Sequence, residues 1–194
     1  QIQLHVAFNA ELFGLIESGN LDFAICGALE KPANLDFRPL LTTDLVVIVR
    51  AGHPLTKLRR PTIRDLAAFR SAAPSAGVPA RAVVERILTS FGLGDRPHAV
   101  GTNSWEAILD AVGTTDLFSL APRDQMLRQG WTSRFATIDI PEIDVRPTTG
   151  VLTRTDAYLS PLAARAIELI EQAFAERVPD SLARKSRGRL AAVR

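Results

Sequence analysis

The stretch Gly19–Ile25, with the sequence GNLDFAI, constrains the fold most, because it joins a helix directly to a buried strand. Asn9 can cap the helix that precedes it, and Gly19 suits the left-handed position that follows a helix end. A second apolar strand, Leu45–Val49, runs into a turn at 52–55 that contains proline. Helix–glycine–strand units build open α/β sheets, which bind ligands at the carboxyl ends of their strands. The stretch therefore predicts a ligand-binding α/β fold.

The rest of the chain alternates strand and helix patterns, which predicts an α/β protein with mostly parallel sheets. Apolar residues alternate along Ile2–Phe8, as in a strand. Thr62 begins a helix to about Phe69, Pro79 begins one that ends at Gly92, and Ser160 precedes the longest helix. Two strand-rich stretches, near 42–45 and near 146–149, could cross between two lobes.

Composition indicates whether the chain can form a core and in which cellular compartment we expect it. Of the 194 residues, 46% are hydrophobic, which is enough to form a core in one domain or in two small lobes. There is neither a membrane-length apolar run nor a signal segment, so we expect no membrane partner. The single cysteine, Cys26, excludes an internal disulfide and fits a reducing compartment, so we expect a cytoplasmic protein.

The basic pI of 9.1 comes from one end of the chain. Residues 181–194 carry five Lys and Arg residues and no acid, and without them the net charge of +2 becomes −3. A duplex-binding surface concentrates its basic residues on a folded element instead. We therefore expect 179–194 to be a solvated, disordered tail, and the chain by itself not to bind DNA.

The sequence contains no recognisable catalytic set. It has no Gly-x-Ser-x-Gly elbow and no phosphate-binding glycine loop. His5, His53 and His98 are far apart and lack the spacing of metal ligands, and His53 before Pro54 is interpreted as a turn residue. We therefore expect no enzymatic activity, no metal and no cofactor.

Polar groups at helix starts are the best candidates for a binding site. Ser75, Gly77 and Arg81 surround the start of the helix at Pro79, where free N–H groups and the helix dipole favour an anion. Arg81 could add a bidentate donor.

Two further helix starts have the same character. Thr102 and Asn103 precede one, with Ser104 as its cap, and Asn9 begins the other. Each start alone is more often an ordinary helix cap than a ligand site. Convergence of the three would indicate a ligand site, and sequence alone does not decide this.

Five stretches, taken in order, resemble the effector-binding domain of LysR-type transcriptional regulators. They span residues 1 to about 178, and they are Gly19–Ile25; Pro39–Leu41 with Asp44–Val49 and Gly52–Leu55; Pro74–Arg81; Thr115–Pro122; and Leu159–Ala164. Each stretch is a weak signal, whereas the ordered set is fairly specific.

The resemblance implies two Rossmann-like lobes joined by two crossing strands, similar to type 2 periplasmic binding proteins. Lobe I would comprise 1–43 and 147–178, and lobe II would comprise 44–146, with a small effector bound between them. By resemblance, the effector contacts fall on Asn9, Ser75, Pro79 and Arg81, with Gly77 in the same loop and Thr102 and Asn103 at the neighbouring helix start.

The sequence departs from the family pattern in two places. Thr115-Asp116-Leu117 replaces a common Gly-x-Gly stretch. The chain also begins at what resembles the second strand of the domain, so we expect a truncated domain without its first strand, its first helix and the winged helix-turn-helix that binds DNA.

The leading hypothesis is therefore the regulatory domain of a transcription factor. It would sense a small organic acid or aromatic carboxylate and would form homodimers or homotetramers, with Ile2–Phe8 as a candidate contact. The alternative is a solute-binding protein of a transport system with the same fold. An α/β enzyme is a third reading, for which no general base is evident beside Arg81.

Overall fold

The computed structural model of the chain describes residues 2–28, 35–76, 79–94, 97–127, 131 and 133–177. Its strands are β1 (Ala24–Ala28), β2 (Leu35–Thr42), β3 (Leu45–Arg50), β4 (Ala72–Pro74), β5 (Val100–Thr102), β6 (Ser119–Pro122), β7 (Phe135–Ile138) and β8 (Thr148–Arg154). Its α-helices are α1 (Asn9–Glu17), α2 (Pro79–Ser90), α3 (Trp105–Thr114) and α4 (Pro161–Arg177). Three 3-10 helices cover Pro54–Lys57, Ile63–Ala68 and Arg123–Leu127. Within the described residues no helix is long and apolar enough to span a bilayer.

The chain divides into two compact units. Of the described residues, the β3 unit contains those of Asp44–Val145 together with 2–10, and the β8 unit contains those of Glu11–Thr43 and 146–177. The expected tail, 179–194, lies outside the described residues.

The β8 unit is built on a three-stranded sheet in the order β1-β8-β2. Most of helix α1 belongs to this unit, and the helix ends at Glu17 just before Gly19, which has the predicted left-handed conformation with a φ of +75°. The Gly19 N–H donates to Ile16 O at 3.0 Å and the Asn20 N–H donates to Leu15 O at 2.8 Å. These two bonds form a Schellman motif, which satisfies carbonyls that the helix end would leave unpaired.

The β3 unit is built on a three-stranded sheet in the order β6-β3-β7 and a two-stranded sheet of β4 and β5. Successive residues of β3 face opposite sides, so two cores form. Val47 and Val49 join the core that includes Val84, Ile87 and Leu88 of α2, whereas Val46 and Ile48 join the core that includes Ile108 and Val112 of α3. Helices α2 and α3 therefore contribute to different cores of this unit.

The prediction of mostly parallel sheets is wrong for the described strands. β8 is antiparallel to both β1 and β2, and β3 is antiparallel to both β6 and β7. Within the part of the chain that the structure describes, parallel pairing is confined to β4 with β5 and to the bridge between Ser71 and Phe118. The order of helices and strands along a chain does not specify strand direction, which depends on long-range pairing. Strand β8, for example, is separated in sequence from the other strands of its unit by the whole Asp44–Val145 segment.

The prediction of a strand at Ile2–Phe8 is also wrong. Residues 2–8 contain no strand, and Ile2, Leu4 and Val6 are 74–85% exposed. A strand needs a neighbour to pair its backbone groups and a core to cover one of its faces. Alternation of apolar residues supplies neither of these.

Candidate functional site

Two of the predicted helix starts lie side by side because β4 and β5 pair in parallel. Pro74 is opposite Thr102 in this pair, and the Ser75 N–H donates to Thr102 O at 3.1 Å. The carboxyl ends of the two strands therefore coincide, and the segments that lead into α2 and α3 start from the same edge. This edge of a small sheet is where α/β folds place ligands.

Arg81 is held at this edge by two hydrogen bonds. Its Nε donates to Glu85 Oε1 at 2.6 Å and its Nη1 donates to Pro74 O at 3.1 Å. The side chain is only 19% exposed. Among the described residues, Nη2 and the second hydrogen of Nη1 have no acceptor, so they remain as donors that a ligand could use.

Gly101 completes the surface around this guanidinium. A Cβ at Gly101 would lie 3.5 Å from Arg81 Nη1 and 4.0 Å from Ser75 Cα, and Gly101 itself is exposed. Ser75, Arg81, Gly101 and Thr102 thus form one continuous patch, which we call the Arg81 cluster.

The start of α3 is a capped helix end. Ser104 Oγ accepts from the Ala107 N–H at 3.2 Å, and Thr102 Oγ1 accepts from the Ser104 N–H at 3.1 Å. The capping interpretation therefore holds for Ser104, while the Thr102 hydroxyl closes a turn just before the helix. Asn103, between them, is exposed at the rim of the cluster.

The remaining predicted site residues are less fully described. Pro79 is the first residue of α2, while its side chain and the whole of Gly77 lie outside the described residues. Asn9 is the half-buried first residue of α1. The assignment of these three residues to an effector site stays a prediction, as does that of Ser75, Arg81, Thr102 and Asn103.

The structure adds three residues that the sequence had not indicated: Ser71, Glu85 and His98. Ser71 Oγ lies 2.6 Å from His98 Nδ1, and His98 Nε2 lies 3.7 Å from Glu85 Oε1. The Arg81–Glu85 spacing of four residues on a helix is a signal that could have been recognised. No local signal links His98 to Ser71, because 27 residues separate them.

Charges and burial shift two pKa values in this group. Burial of the imidazole, and next the Arg81 charge, lower the pKa of His98, while the Glu85 carboxylate opposes them. The hydrogen bond from Arg81 is the main cause that lowers the pKa of Glu85. At neutral pH the arrangement therefore consists of a charged Arg81–Glu85 pair beside a neutral His98.

His53, which the sequence placed in a turn, has a structural role. His53 is fully buried and caps the 3-10 helix Pro54–Lys57. Among the residues that the structure describes, no three His, Cys, Asp or Glu side chains form a group that could hold a metal ion.

Comparisons with known proteins give one family. The family model described as LysR substrate binding domain matches residues 1–175. The chain is 30% identical, over 157 residues, to the SDS degradation transcriptional activation protein of Pseudomonas sp. (strain ATCC 19151), covering 79% of this chain and 50% of that protein. The chain spans about half the length of the curated relatives it matches.

Solved structures share the fold at low sequence identity. The regulatory domain of CcmR from Synechocystis PCC6803, in complex with 2-PG, matches with a TM-score of 0.71 and 21% identity, over 90% of this chain and 83% of that one. The effector binding domain of QuiR, in complex with shikimate, matches with a TM-score of 0.65 and 19% identity, over 88% and 76%. These neighbours confirm the fold class expected from the sequence.

Proposed function

The chain belongs to the LysR substrate-binding domain family, and on that premise we propose that it is the effector-sensing domain of a transcriptional regulator. Its effector would be a small organic anion, a carboxylate or an aromatic acid, bound at the Arg81 cluster. Family membership supports regulation over the alternative of solute binding for transport. The whole regulator would be a cytoplasmic homodimer or homotetramer without enzymatic activity, and it would contact DNA through a winged helix-turn-helix outside this chain.

This site is best supported by the Arg81 guanidinium, which two hydrogen bonds hold at the shared carboxyl-terminal edge of β4 and β5. A guanidinium fixed by protein acceptors loses little conformational entropy when it binds an anion. Nη1 and Nη2 retain donors that suit the two oxygens of a carboxylate. The neighbours solved with 2-PG and shikimate fit a small-molecule site in this fold.

Calorimetry with a panel of small acids, including benzoate and shikimate, tests the proposal. We expect at least one acid to bind the wild-type chain and Arg81→Ala to weaken its binding by roughly tenfold or more, since a charged hydrogen bond is lost. Arg81→Lys should bind with intermediate affinity, because it keeps the charge and loses the planar fork.

Arg165→Ala is the matched control. Arg165 pairs with Glu168 on α4 at 2.8 Å, and both side chains are more than half exposed. This variant removes one surface arginine and should leave affinity unchanged. Equal affinities of Arg81→Ala and wild type would remove Arg81 from the site.

A further inference from the structure

Four side chains form a continuous series of contacts that ends at the Arg81 guanidinium, and we call this series the line. Ser71 Oγ contacts His98 Nδ1 at 2.6 Å, His98 Nε2 faces Glu85 Oε1 at 3.7 Å, and the same Glu85 oxygen accepts from Arg81 Nε at 2.6 Å. The line links the residue before β4, the segment before β5, and α2. It therefore ties Arg81 to the two strands whose ends form the Arg81 cluster.

Glu85 is suited to orient Arg81. A salt bridge between helix residues four apart is normally weak when both partners are exposed. Here Arg81 is only 19% exposed and its Nη1 is also bonded to Pro74 O, so the Glu85 contact fixes a guanidinium that is already anchored at one end. With Nε and one hydrogen of Nη1 engaged, Nη2 and the second hydrogen of Nη1 are the donors that can meet a ligand.

His98 sits behind Glu85 and is almost completely buried, with 6% of its side chain exposed. Among the described residues, the charged groups that act on the ring are Glu85 and Arg81 of α2. Arg70 contacts the backbone of His98 instead, since its Nη2 donates to His98 O at 3.2 Å. A neutral His98 leaves Arg81 and Glu85 with no net charge. A protonated His98 places the Glu85 carboxylate between two cations and gives the group a net charge of +1.

We propose that Glu85 is the positioning residue for Arg81, and that protonation of His98 behind it strengthens anion binding at the Arg81 cluster. The second half of this proposal rests on the proposed function. By reciprocity, an anion bound at Arg81 favours the protonated form of His98.

NMR titration of the His98 ring in the 194-residue chain tests the line without any ligand. Glu85→Gln removes the carboxylate and should lower the pKa of His98. Arg81→Gln removes a neighbouring cation and should raise it. Glu168→Gln, which breaks the similar surface pair on α4, should leave it unchanged. If neither Glu85→Gln nor Arg81→Gln moves the titration of His98, the line does not exist in solution and the proposal is wrong.

Calorimetry with benzoate then separates positioning from charge. Glu85→Ala frees the guanidinium and should weaken binding by roughly threefold or more, although it also removes a negative charge. Glu85→Gln keeps an acceptor for Nε and should bind at least as tightly as wild type. Tighter binding by Glu85→Ala than by wild type would show that Glu85 competes with the anion, and it would overturn the positioning role.

The pH series completes the test. Benzoate affinity of the wild-type chain should rise roughly two- to fivefold as the pH falls through the titration of His98, because one positive charge is added behind Arg81. His98→Gln should abolish this rise, and Ser71→Ala, which leaves the ring in place, should shift its midpoint. A rise that persists in His98→Gln would refute the role of His98. Should benzoate and shikimate fail to bind while Glu85→Gln and Arg81→Gln still move the titration of His98, the proposed function fails and the positioning of Arg81 stands.

Discussion

The Nδ1 atom of His53 accepts a hydrogen bond from the backbone N–H of Leu55 at 3.1 Å. Since Nδ1 is the acceptor, the ring proton lies on Nε2, which donates to Asp116 O at 3.2 Å. The ring is fully buried, and its centroid lies 4.5 Å from that of Phe69. One side chain thus pairs backbone groups from two segments that are more than 60 residues apart.

His53→Leu should lower the free energy of unfolding by about 1–3 kcal/mol, because the buried N–H of Leu55 loses its acceptor. His53→Asn, which can still accept from the Leu55 N–H, should lose less. Urea denaturation measures both variants, and Lys57→Leu at an exposed position is the control. A His53→Leu protein as stable as wild type would contradict this role.

Gly150→Ala should destabilise the chain by about 1–3 kcal/mol or more, because the added Cβ would clash with neighbouring atoms in β8, the central strand of its sheet. A Cβ at this position would lie 2.5 Å from Arg38 O and 2.4 Å from the Phe37 ring. Gly14→Ala is the matched comparison. Position 14 lies within α1 with nothing near its added Cβ, so alanine should stabilise by about 0.5–1 kcal/mol. Thermal unfolding should shift in opposite directions in the two variants.

The stability of the chain should fall as the pH drops below 6.5, the ordinary pKa of histidine, because the pKa of His98 is lowered in the folded chain. The unfolded chain then binds a proton that the folded chain resists, at most about 1.4 kcal/mol per pH unit for one group. His98→Gln should flatten this slope in urea denaturation at pH 7 to 5. If His98→Gln leaves the pH dependence of the free energy of unfolding unchanged, other titratable groups cause the loss of stability.

Cys26 should react slowly with a disulfide reagent such as DTNB at pH 8 in the folded chain. Its residue is 5% exposed, and burial raises the pKa of the thiol from 9.0 to about 11. That shift alone reduces the thiolate population by about a hundredfold. Reaction should become fast in urea, and Cys26→Ser should abolish it. Rapid labelling of the folded chain would show that the thiol is accessible.

Thr43→Val should raise the free energy of unfolding by about 1 kcal/mol. Thr43 is buried, and among the described residues its Oγ1 has no hydrogen-bond partner, so a methyl group of similar shape removes a desolvation cost. Thr42→Val is the control with the opposite sign. Thr42 Oγ1 is bonded to Thr148 Oγ1 at 2.9 Å, and its loss should destabilise. Equal changes in the free energy of unfolding for Thr43→Val and Thr42→Val would show that the two hydroxyl groups do not differ in this way.

Much of the local structure could be predicted from short patterns. The glycines after α1 and α2 have a φ of +75° and +73°, and Ser104 caps α3. The prediction of Ser75, Arg81 and Thr102 as neighbours depended on family resemblance, since their separate helix starts meet only through the pairing of β4 with β5. Ser71 and His98 could not be placed beside Arg81 and Glu85 in advance, because His98 meets these residues through contacts that are long-range in sequence.

The sequence by itself determined where helices begin and end and which residues of a strand such as β3 enter the cores. These features depend on hydrogen bonds that close within about five residues and on side-chain periodicity. The tertiary structure alone decided that β8 runs antiparallel between β1 and β2, that residues 2–8 form no strand, and that His98 lies behind the Arg81–Glu85 pair. Those outcomes depend on contacts between residues that are distant in sequence, whose free energy exists only once the chain has buried its core.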